Sequence, residues 1–404
     1  MPELIAIDGP AGDAFVDVVV SSWNAGNAIA PIDPRLPAGP RQAVIEAIRP
    51  TVLVRLGADG SVDRRRLADG SPVAEGDALV IATSGTSGTP KAVIHTHTSI
   101  EASARATSAA LAVDPGSDRW LACLPLAHIG GLSVVLRALV TDTPVTVHPT
   151  FDATAVIEAA TTGGVTLVSL VTRALNQVPA ELFRAVLIGG AAPPGDLPSN
   201  VIPTYGMTET GSGVIYGRRI LDGCEIMLAD DRGDRIDRPG ATGAIHVRGP
   251  MLFRGYRNGP SPFVDGGWFP TGDLGRWRAD GSLEVEGRAA DVIVSGGEKV
   301  WPGPIEALLA ERHDVAEAAI VGRPDPEWGH RVVAIVVPTD PASPPTLDDL
   351  RGEVTDRLPA WCAPKELVVR TEPLPRTALG KLRRRALDGN PGDDQPASAS
   401  RASS

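Results

Sequence analysis

At 404 residues the chain is long enough to bury a substantial core and to form more than one domain. Its formal charge of -11, with 49 acidic and 38 basic residues mixed along most of its length, leaves no long basic stripe and speaks against nucleic-acid binding. Its three cysteines, Cys123, Cys224 and Cys362, stand far apart without metal-ligand spacing, which argues against both a disulfide framework and a zinc site.

The opening Met1-Pro2-Glu3-Leu4 lacks the basic start and sustained apolar run of a secretory leader. No later stretch approaches the roughly 18 uninterrupted apolar residues of a membrane span, so a soluble, cytoplasmic protein is expected. Phe15 to Val54 read as helix, strand, helix, strand: Ala28 to Ile32 is an extended apolar piece, and Pro40 to Ile48 carries apolar residues at helical spacing. Residues 57–77, rich in Gly, Asp and Arg, are expected to be a surface connection. Ala78 to Ala82 reads as a buried strand, and the polar, alanine-rich stretch from His97 to Leu111 as a helix.

Between them lies a loop, Thr83-Ser84-Gly85-Thr86-Ser87-Gly88-Thr89-Pro90-Lys91, with two glycines, five hydroxyl residues and one lysine. Such a loop offers unobstructed backbone N–H groups, hydroxyl donors and a cation, the chemistry a polyphosphate requires. Taken alone it also fits a flexible linker. Pro90 before Lys91 and Ala92 after it exclude the Walker pattern of a P-loop.

Further on, Trp120–Leu124, Leu132–Leu139, Val145–His148, Ala153–Ala160, Leu167–Val171 and Ala185–Ile188 alternate strand-like and helix-like runs, as in a largely parallel sheet covered by helices. From Glu225, Gly-punctuated short strands such as Ala244–Arg248 and Ser282–Glu286 suggest an antiparallel β subdomain. After Gly287 the pattern becomes a compact α+β unit: Val292–Ser295 extended, Pro304–Arg312 helical with proline at its start, Ala318–Val321 and Val332–Val337 as strands. A helix from Thr346 to Leu358 with a threonine cap and a last strand at Leu367–Arg370 complete it. The fold class expected is α/β: a large N-terminal domain (1–287), a hinge (288–291), a small mobile α+β C-terminal domain (292–388) and a disordered tail (389–404).

Five segments, in order, resemble the signature set of the adenylate-forming superfamily of acyl-CoA synthetases, peptide-synthetase adenylation domains and luciferases. They are the Thr83–Lys91 loop, Tyr205-Gly206-Met207-Thr208-Glu209-Thr210, Thr271-Gly272-Asp273, Gly287-Arg288 leading into Ser295-Gly296-Gly297-Glu298, and Pro375–Lys381. Each alone has an ordinary reading as a turn, a capped helix or a basic run; their joint order carries the resemblance, which covers nearly the whole chain. It implies ATP, Mg²⁺ and coenzyme A as cofactors. Thr83, Ser84, Gly85, Thr86, Ser87, Gly88, Thr89 and Lys91 would hold the β- and γ-phosphates, Tyr205 and Gly206 would face adenine, Thr208 a phosphate, and Glu209 the metal. Asp273 would accept from the ribose hydroxyls, and Arg288 belongs to the same nucleotide-binding set. Gly189, Gly190 and Ala191 correspond to a turn that approaches adenine, where small residues allow close backbone approach.

The chemistry explains these residue types. A carboxylate is a poor electrophile, and attack of its oxygen on the α-phosphorus of ATP turns it into an acyl-adenylate with a good leaving group. Charge builds on phosphate oxygens, to be met by Glu209 with Mg²⁺, by Thr208 and by a mobile lysine, for which Lys381 is the choice. The small domain would then rotate, carrying Lys381 away and bringing Ser295, Gly296 and Gly297 to the site where a thiol attacks. The hinge position is Ala290, where much of the superfamily carries a polar residue; Asp291 beside it can supply the polarity.

Within the superfamily, Leu124-Pro125-Leu126-Ala127-His128-Ile129-Gly130-Gly131-Leu132-Ser133 and Val294–Pro302 resemble o-succinylbenzoate-CoA ligases of menaquinone biosynthesis, whose gate histidine lies beside the acyl pocket; that role falls on His128. Ser169 to Arg173 is similar to the same group, with Thr172 where proline is common. The second carboxylate of o-succinylbenzoate needs a cation, for which Arg137 and Arg173 are candidates. The short stretch before Thr83 is compatible with activity, though it could open the acyl pocket or require a homodimer partner. Open alternatives are a CoA ligase for another aryl or short aliphatic acid, an adenylation enzyme loading a carrier protein, and a non-catalytic nucleotide-binding relative; retention of Glu209, Asp273, Arg288 and Lys381 speaks against the last. Lys381→Ala is expected to abolish adenylate formation while sparing CoA transfer to a supplied acyl-adenylate; single-turnover assays showing equal loss in both half-reactions would refute the two-step use of the small domain.

Overall fold

The structure, a computed structural model, describes residues 1–83, 90–190, 197–376 and 382–387, with Arg385 described in its backbone only. The chain opens with β1 (Leu4–Asp8), α1 (Asp13–Asn24), β2 (Ala28–Ile32), α2 (Ala38–Ile48), β3 (Val52–Leu56), β4 (Val62–Arg66), β5 (Asp77–Thr83), β6 (Lys91–Thr96) and α3 (His97–Ala110). Next come β7 (Trp120–Ala122), α4 (Ile129–Val140), β8 (Val145–Val147), α5 (Ala153–Thr161), β9 (Leu167–Leu170), α6 (Thr172–Leu175), β10 (Ala185–Ile188), β11 (Val201–Met207), β12 (Ser212–Tyr216) and β13 (Arg219–Ile220). Then follow β14 (Glu225–Ala229), β15 (Thr242–Arg248), β16 (Gly255–Tyr256), β17 (Phe269–Trp277), β18 (Leu283–Arg288), β19 (Ile293–Ser295) and β20 (Glu298–Val300). The last elements are α7 (Pro302–Ala310), β21 (Val315–Asp325), β22 (Gly329–Pro338), α8 (Leu347–Arg357) and β23 (Glu366–Val369).

Two seven-stranded sheets dominate, ordered β16-β6-β5-β2-β1-β3-β4 and β13-β12-β11-β10-β9-β7-β8. β14, β15, β17 and β18 make a four-stranded sheet, and β20-β19-β22-β21 with β23 on β22 make a five-stranded one. The chain divides into two compact units, Met1–Asp237 with Ile245–Thr271 and Arg278–Leu283, and Arg238–Ala244 with Gly272–Trp277 and Glu284–Ser404.

In the first unit β1 and β2 are buried along their whole length, which is why their sequences are continuous apolar runs rather than alternating ones. They pair in parallel with each other, β1 pairs in parallel with β3, and β2 with β5. The expected parallel character holds here and through β8-β7-β9-β10-β11, while β4, β6, β12, β13 and β16 add antiparallel edges. Core side chains include Leu4, Ala30, Ile32 and Val80 in the first sheet and Leu121, Val168, Val186 and Ile188 in the second. In the second unit both faces of the β21–β22 ribbon are covered: Ile320, Val332 and Val336 pack with Ile305 and Leu309 of α7, while Val321, Val333 and Ile335 pack with Leu374 and Leu387.

Three details differ from the sequence reading. Residues 57–77, expected as a surface connection, contain β4, an edge strand exposed at every residue that pairs with β3 from Val62 to Arg66. Its Val-Asp-Arg-Arg-Arg sequence shows no alternation because neither face meets a core, so only backbone pairing defines it. The Thr83–Lys91 loop does not run straight toward a helix but joins β5 to β6, with Thr83 opposite Lys91. α7 begins at Pro302 rather than Pro304, and the proline in its first turn suits the missing N–H. The threonine cap of α8 is present, the Thr346 hydroxyl accepting from the Asp349 N–H at 3.2 Å. Among the described residues no helix is long and apolar enough to cross a membrane.

The start of α4 depends on a close approach. A Cβ at Gly131 would lie 2.5 Å from the carbonyl oxygens of both Leu124 and Pro125, backbone atoms with no side-chain freedom to yield. Gly131→Ala is therefore expected to destabilise the first unit by about 1–3 kcal/mol, seen as a lowered urea midpoint at unchanged m value; a wild-type midpoint would contradict the contact.

Candidate active site

The described ends of the Thr83–Lys91 loop are fixed by antiparallel pairing, Thr83 with Lys91 and Ala82 with Ala92. Ser84, Gly85, Thr86, Ser87, Gly88 and Thr89 lie outside the described residues, as do Ala191, Lys381 and the tail from 389 onward. Lys91, the first residue of β6, holds its Nζ 5.0 Å from the ring centre of Tyr256. Tyr256 sits on β16, opposite Val93 of β6, and its hydroxyl donates to Glu209 Oε1 at 2.9 Å. Lys91 and Glu209, far apart in sequence, thereby contact one tyrosine, the first at its ring and the second at its hydroxyl.

Thr208 and Glu209 form a single 3-10 turn, Thr208–Thr210, between β11 and β12. Its polar backbone is bound on several sides: Phe253 N–H donates to the Glu209 carbonyl at 2.9 Å, and the Thr210 hydroxyl lies 2.9 Å from the Met207 carbonyl and 2.6 Å from that of Ser212. The Thr208 carbonyl accepts from Gly211 N–H at 3.1 Å and contacts Nε2 of His95 at 2.7 Å. A carbonyl can only accept, so Nε2 carries the proton and Nδ1 faces the Ser99 hydroxyl at 3.0 Å. His95 is 0% exposed, and burial pushes its pKa from 6.5 down to about 4, with the Thr208 carbonyl opposing that shift.

Tyr205 and Gly206 end β11, and Gly189 and Gly190 follow its parallel neighbour β10, so these four occupy the carboxyl ends of adjacent parallel strands, where open α/β sheets bind ligands. A Cβ at Gly189 would stand 2.9 Å from the Thr204 hydroxyl, and Gly190 has φ of +90°. This bare, turned backbone suits close approach of a flat ring. One half-buried carboxylate at Glu209, held by a phenol, with a threonine and a lysine nearby, fits Mg²⁺ bound with phosphate, since that ion keeps several waters and needs one or two carboxylates.

His128 is the N-cap residue of α4, and its Nε2 lies 3.5 Å from Oδ2 of Asp33, which follows β2 and is 3% exposed. Arg35 grips that carboxylate through Nε at 2.8 Å and Nη2 at 2.7 Å, and despite burial the Asp33 carboxyl stays below its ordinary pKa. Burial pushes the imidazole of His128 down, and Asp33 opposes this.

One face of α4, bearing Ile129, Ser133 and Arg137, lines a small internal cavity together with Leu79, His95 and Gly211. Arg137 is 2% exposed. Its Nη2 donates to Ser212 Oγ at 3.2 Å and its guanidinium lies 4.7 Å from the Trp120 ring centre, while Nε and Nη1 have no hydrogen-bond partner among the described residues. Arg173, the other candidate, is exposed on α6 and does not line this cavity.

In the second unit Asp273 and Arg288 are brought together, Oδ1 to Nε at 3.0 Å. Ser295, 3% exposed, ends β19, and Gly296 and Gly297, with φ of +61° and +86°, turn the chain into β20 so that Ser295 pairs with Glu298. Two successive left-handed residues make the tight hairpin for which glycine is suited. Gly296 N–H donates to the Trp328 carbonyl at 2.8 Å.

Sequence reasoning missed Tyr256, His95 and Asp33. The only local signal was a polar residue closing an apolar run at Val93-Ile94-His95 and at Ala30-Pro31-Ile32-Asp33.

Residues 2–257 match the AMP-binding enzyme family, and residues 304–381 match the AMP-binding enzyme C-terminal domain; the chain belongs to this family. Among its relatives, a probable 2-succinylbenzoate–CoA ligase from Mycobacterium tuberculosis is 37% identical over 342 residues, spanning 79% of this chain and 85% of that protein. An indoleacetate–CoA ligase from Aromatoleum aromaticum is 36% identical over 346 residues, spanning 76% of this chain and 66% of that protein, just under two thirds of its length. The o-succinylbenzoate CoA synthetase from Bacillus subtilis, solved in complex with the acyl-adenylate intermediate OSB-AMP, superposes with a TM-score of 0.84 at 27% identity, over 95% of this chain and 88% of that one. The same synthetase in complex with ATP and magnesium ion gives 0.83 at 28% identity, over 95% of this chain and 89% of that one.

Because the folded-state pKa of His95 is depressed, the unfolded chain takes up its proton first on acidification. The stability contributed by keeping His95 neutral is complete above pH 6.5 and lost as pH falls toward 4. Relative to His95→Gln, wild-type protein is expected to lose about 3 kcal/mol over that window, measured by chemical unfolding at each pH; parallel curves for the two proteins would contradict a neutral, buried imidazole.

Proposed function

We propose that this protein is an ATP-dependent, AMP-forming ligase that joins o-succinylbenzoate to coenzyme A through an acyl-adenylate, releasing pyrophosphate and then AMP. The observation that carries the choice of acid is Arg137. A guanidinium buried with two nitrogens unpartnered is costly to leave empty, and a carboxylate that accepts from both offsets that cost with directional, charge-assisted bonds. o-Succinylbenzoate has such a second carboxylate. The indoleacetate–CoA ligase favours a second reading, an aryl monocarboxylic acid. That reading leaves Arg137 without an anion.

In the first half-reaction Thr83 to Lys91, Thr208 and Glu209 hold the polyphosphate, Tyr205 with Gly189, Gly190, Ala191 and Gly206 the adenine, and Asp273 the ribose with Arg288 beside it. Lys381 answers the charge that develops at the α-phosphate. Magnesium, when bound, neutralises phosphate oxygens and favours departure of pyrophosphate. His128 borders the acyl pocket. In the second half-reaction Ser295, Gly296 and Gly297 replace Lys381 at the reacting centre and the thiol of coenzyme A attacks the acyl carbonyl, expelling AMP. Residues 288–291 are the hinge between a 1–287 domain and a 292–388 domain in this scheme.

Pyrophosphate release over a panel of carboxylic acids, with and without coenzyme A, tests the reading: turnover is expected with o-succinylbenzoate, and turnover of another acid without it would overturn the assignment. Arg137→Leu is expected to raise the KM for o-succinylbenzoate by about 10- to 100-fold, while an aryl acid without the second carboxylate loses far less. Equal losses for both acids would remove Arg137 from substrate recognition.

A further inference from the structure

Tyr256 has no part in the scheme above, yet it touches two of its groups. Its hydroxyl donates to Glu209 Oε1 at 2.9 Å, and its ring face lies 5.0 Å from Lys91 Nζ. The strand that carries it is only two residues long, Gly255–Tyr256, but is fastened on both sides. Arg254 N–H donates to the Ile94 carbonyl at 2.8 Å and Arg257 N–H to the Ala92 carbonyl at 2.8 Å, both on β6. Arg254 also grips the buried Asp77 through Nε and Nη2, each at 2.8 Å. One residue further back, Phe253 N–H holds the carbonyl of Glu209 itself at 2.9 Å, and its ring meets that of Tyr256 edge-on at 5.0 Å. The phenol is thus built into the same pairing that sets the start of β6, and it reaches Glu209 from a fixed direction.

We propose that Tyr256 is a positioning residue that presents the Glu209 carboxylate to a divalent cation as a one-oxygen ligand. A carboxylate on a free side chain rotates and can offer either oxygen or both. With Oε1 accepting from the phenol, Oε2 is the oxygen left to coordinate, and the rotation is stopped. Mg²⁺ demands near-octahedral geometry at short distance and keeps waters in most positions, so a single oriented oxygen suits it, whereas a two-oxygen grip would crowd its shell. The ring face, negative in its quadrupole, holds the Lys91 ammonium 5.0 Å from its centre, a contact separate from the hydroxyl's bond to Glu209. This inference rests on the reading of Glu209 as the metal carboxylate.

Tyr256→Phe removes only the hydroxyl and keeps the ring packed against Phe253 and Lys91. In the full chain it is expected to raise the MgCl₂ concentration at half-maximal pyrophosphate release about tenfold, with kcat at saturating MgCl₂ nearly unchanged. Equilibrium binding of a fluorescent ATP analogue, titrated with MgCl₂ in the absence of acid, should show the same displacement, while binding in EDTA should equal that of wild type. Glu209→Gln, measured alongside, should lose most of the Mg²⁺-dependent increment in nucleotide binding. A Tyr256→Phe protein with a wild-type MgCl₂ midpoint, beside a Glu209→Gln protein that loses the increment, overturns the role of Tyr256 and leaves the metal reading of Glu209 standing. A Glu209→Gln protein that keeps the increment overturns both. A fall in kcat or in thermal midpoint for Tyr256→Phe with the MgCl₂ midpoint unmoved marks a merely structural tyrosine and likewise overturns the proposal.

Discussion

The surroundings of Glu209 depend on one constraint, the antiparallel pairing of β16 with β6. Lys91 opens β6 and His95 nearly closes it, so the strand carries at one end a cation beside the Thr83–Lys91 loop and at the other an imidazole under the Thr208 carbonyl. Tyr256 across the ladder reaches the carboxylate of Glu209. Three functional groups from residues 91, 208 and 209 are therefore referred to a single six-residue strand. Backbone pairing holds such a frame more rigidly than side-chain contacts alone could, because each ladder bond fixes both position and direction. Preorganised groups of this kind stabilise developing charge without having to move as it develops.

Several charged or titratable groups buried in this unit are answered by specific partners. His95 meets burial by staying neutral, with a donor role toward a carbonyl and an acceptor role toward Ser99. Asp33 meets it through the fork of Arg35 and keeps its negative charge, facing His128 at the head of α4. Asp77 meets it through Arg254 and the Ala74 N–H. Arg137 is different, since Ser212 and the Trp120 face satisfy only part of it, and burial lowers the pKa of its guanidinium. It therefore lines the cavity as a buried cation with two nitrogens that have no hydrogen-bond partner among the described residues.

In the second unit the tightest local constraint is a glycine turn. Gly296 and Gly297 adopt conformations that other residues resist, and a Cβ at Gly296 would also press to 2.7 Å from the Trp328 ring. The turn is thereby narrow, with the Gly296 N–H already held by the Trp328 carbonyl at 2.8 Å. Arg384, which follows the lysine segment closely in sequence, is tied to Glu306 and, at 3.4 Å, to Asp291 beside Ala290. Asp291 and Glu306 thus share an ionic network with the end of the described chain. An acidic partner is present next to the position where the sequence carries alanine.

The sequence by itself determined the α/β class, the family and many of the elements. The apolar run Ala28–Ile32, the threonine cap at Thr346 and the paired glycines at 296 and 297 are local features, and local conformational preference reports them directly. Glu209, Asp273, Arg288 and His128 are expected as site residues for a related reason: they stand inside short motifs whose spacing is itself the signal. What lay beyond reach was pairing over long separations. Edge strand β4 has no hydrophobic pattern to betray it, and Tyr256 and Glu209 are 47 residues apart, with nothing in either segment naming the other. The choice between Arg137 and Arg173 is of the same kind. Both are arginines near apolar segments, and only the packing of α4 against β12 and its neighbours buries one while α6 leaves the other in solvent. Burial, hydrogen-bond partnership and the direction in which a charge points are properties of the assembled chain, because they depend on which distant atoms exclude water from a site.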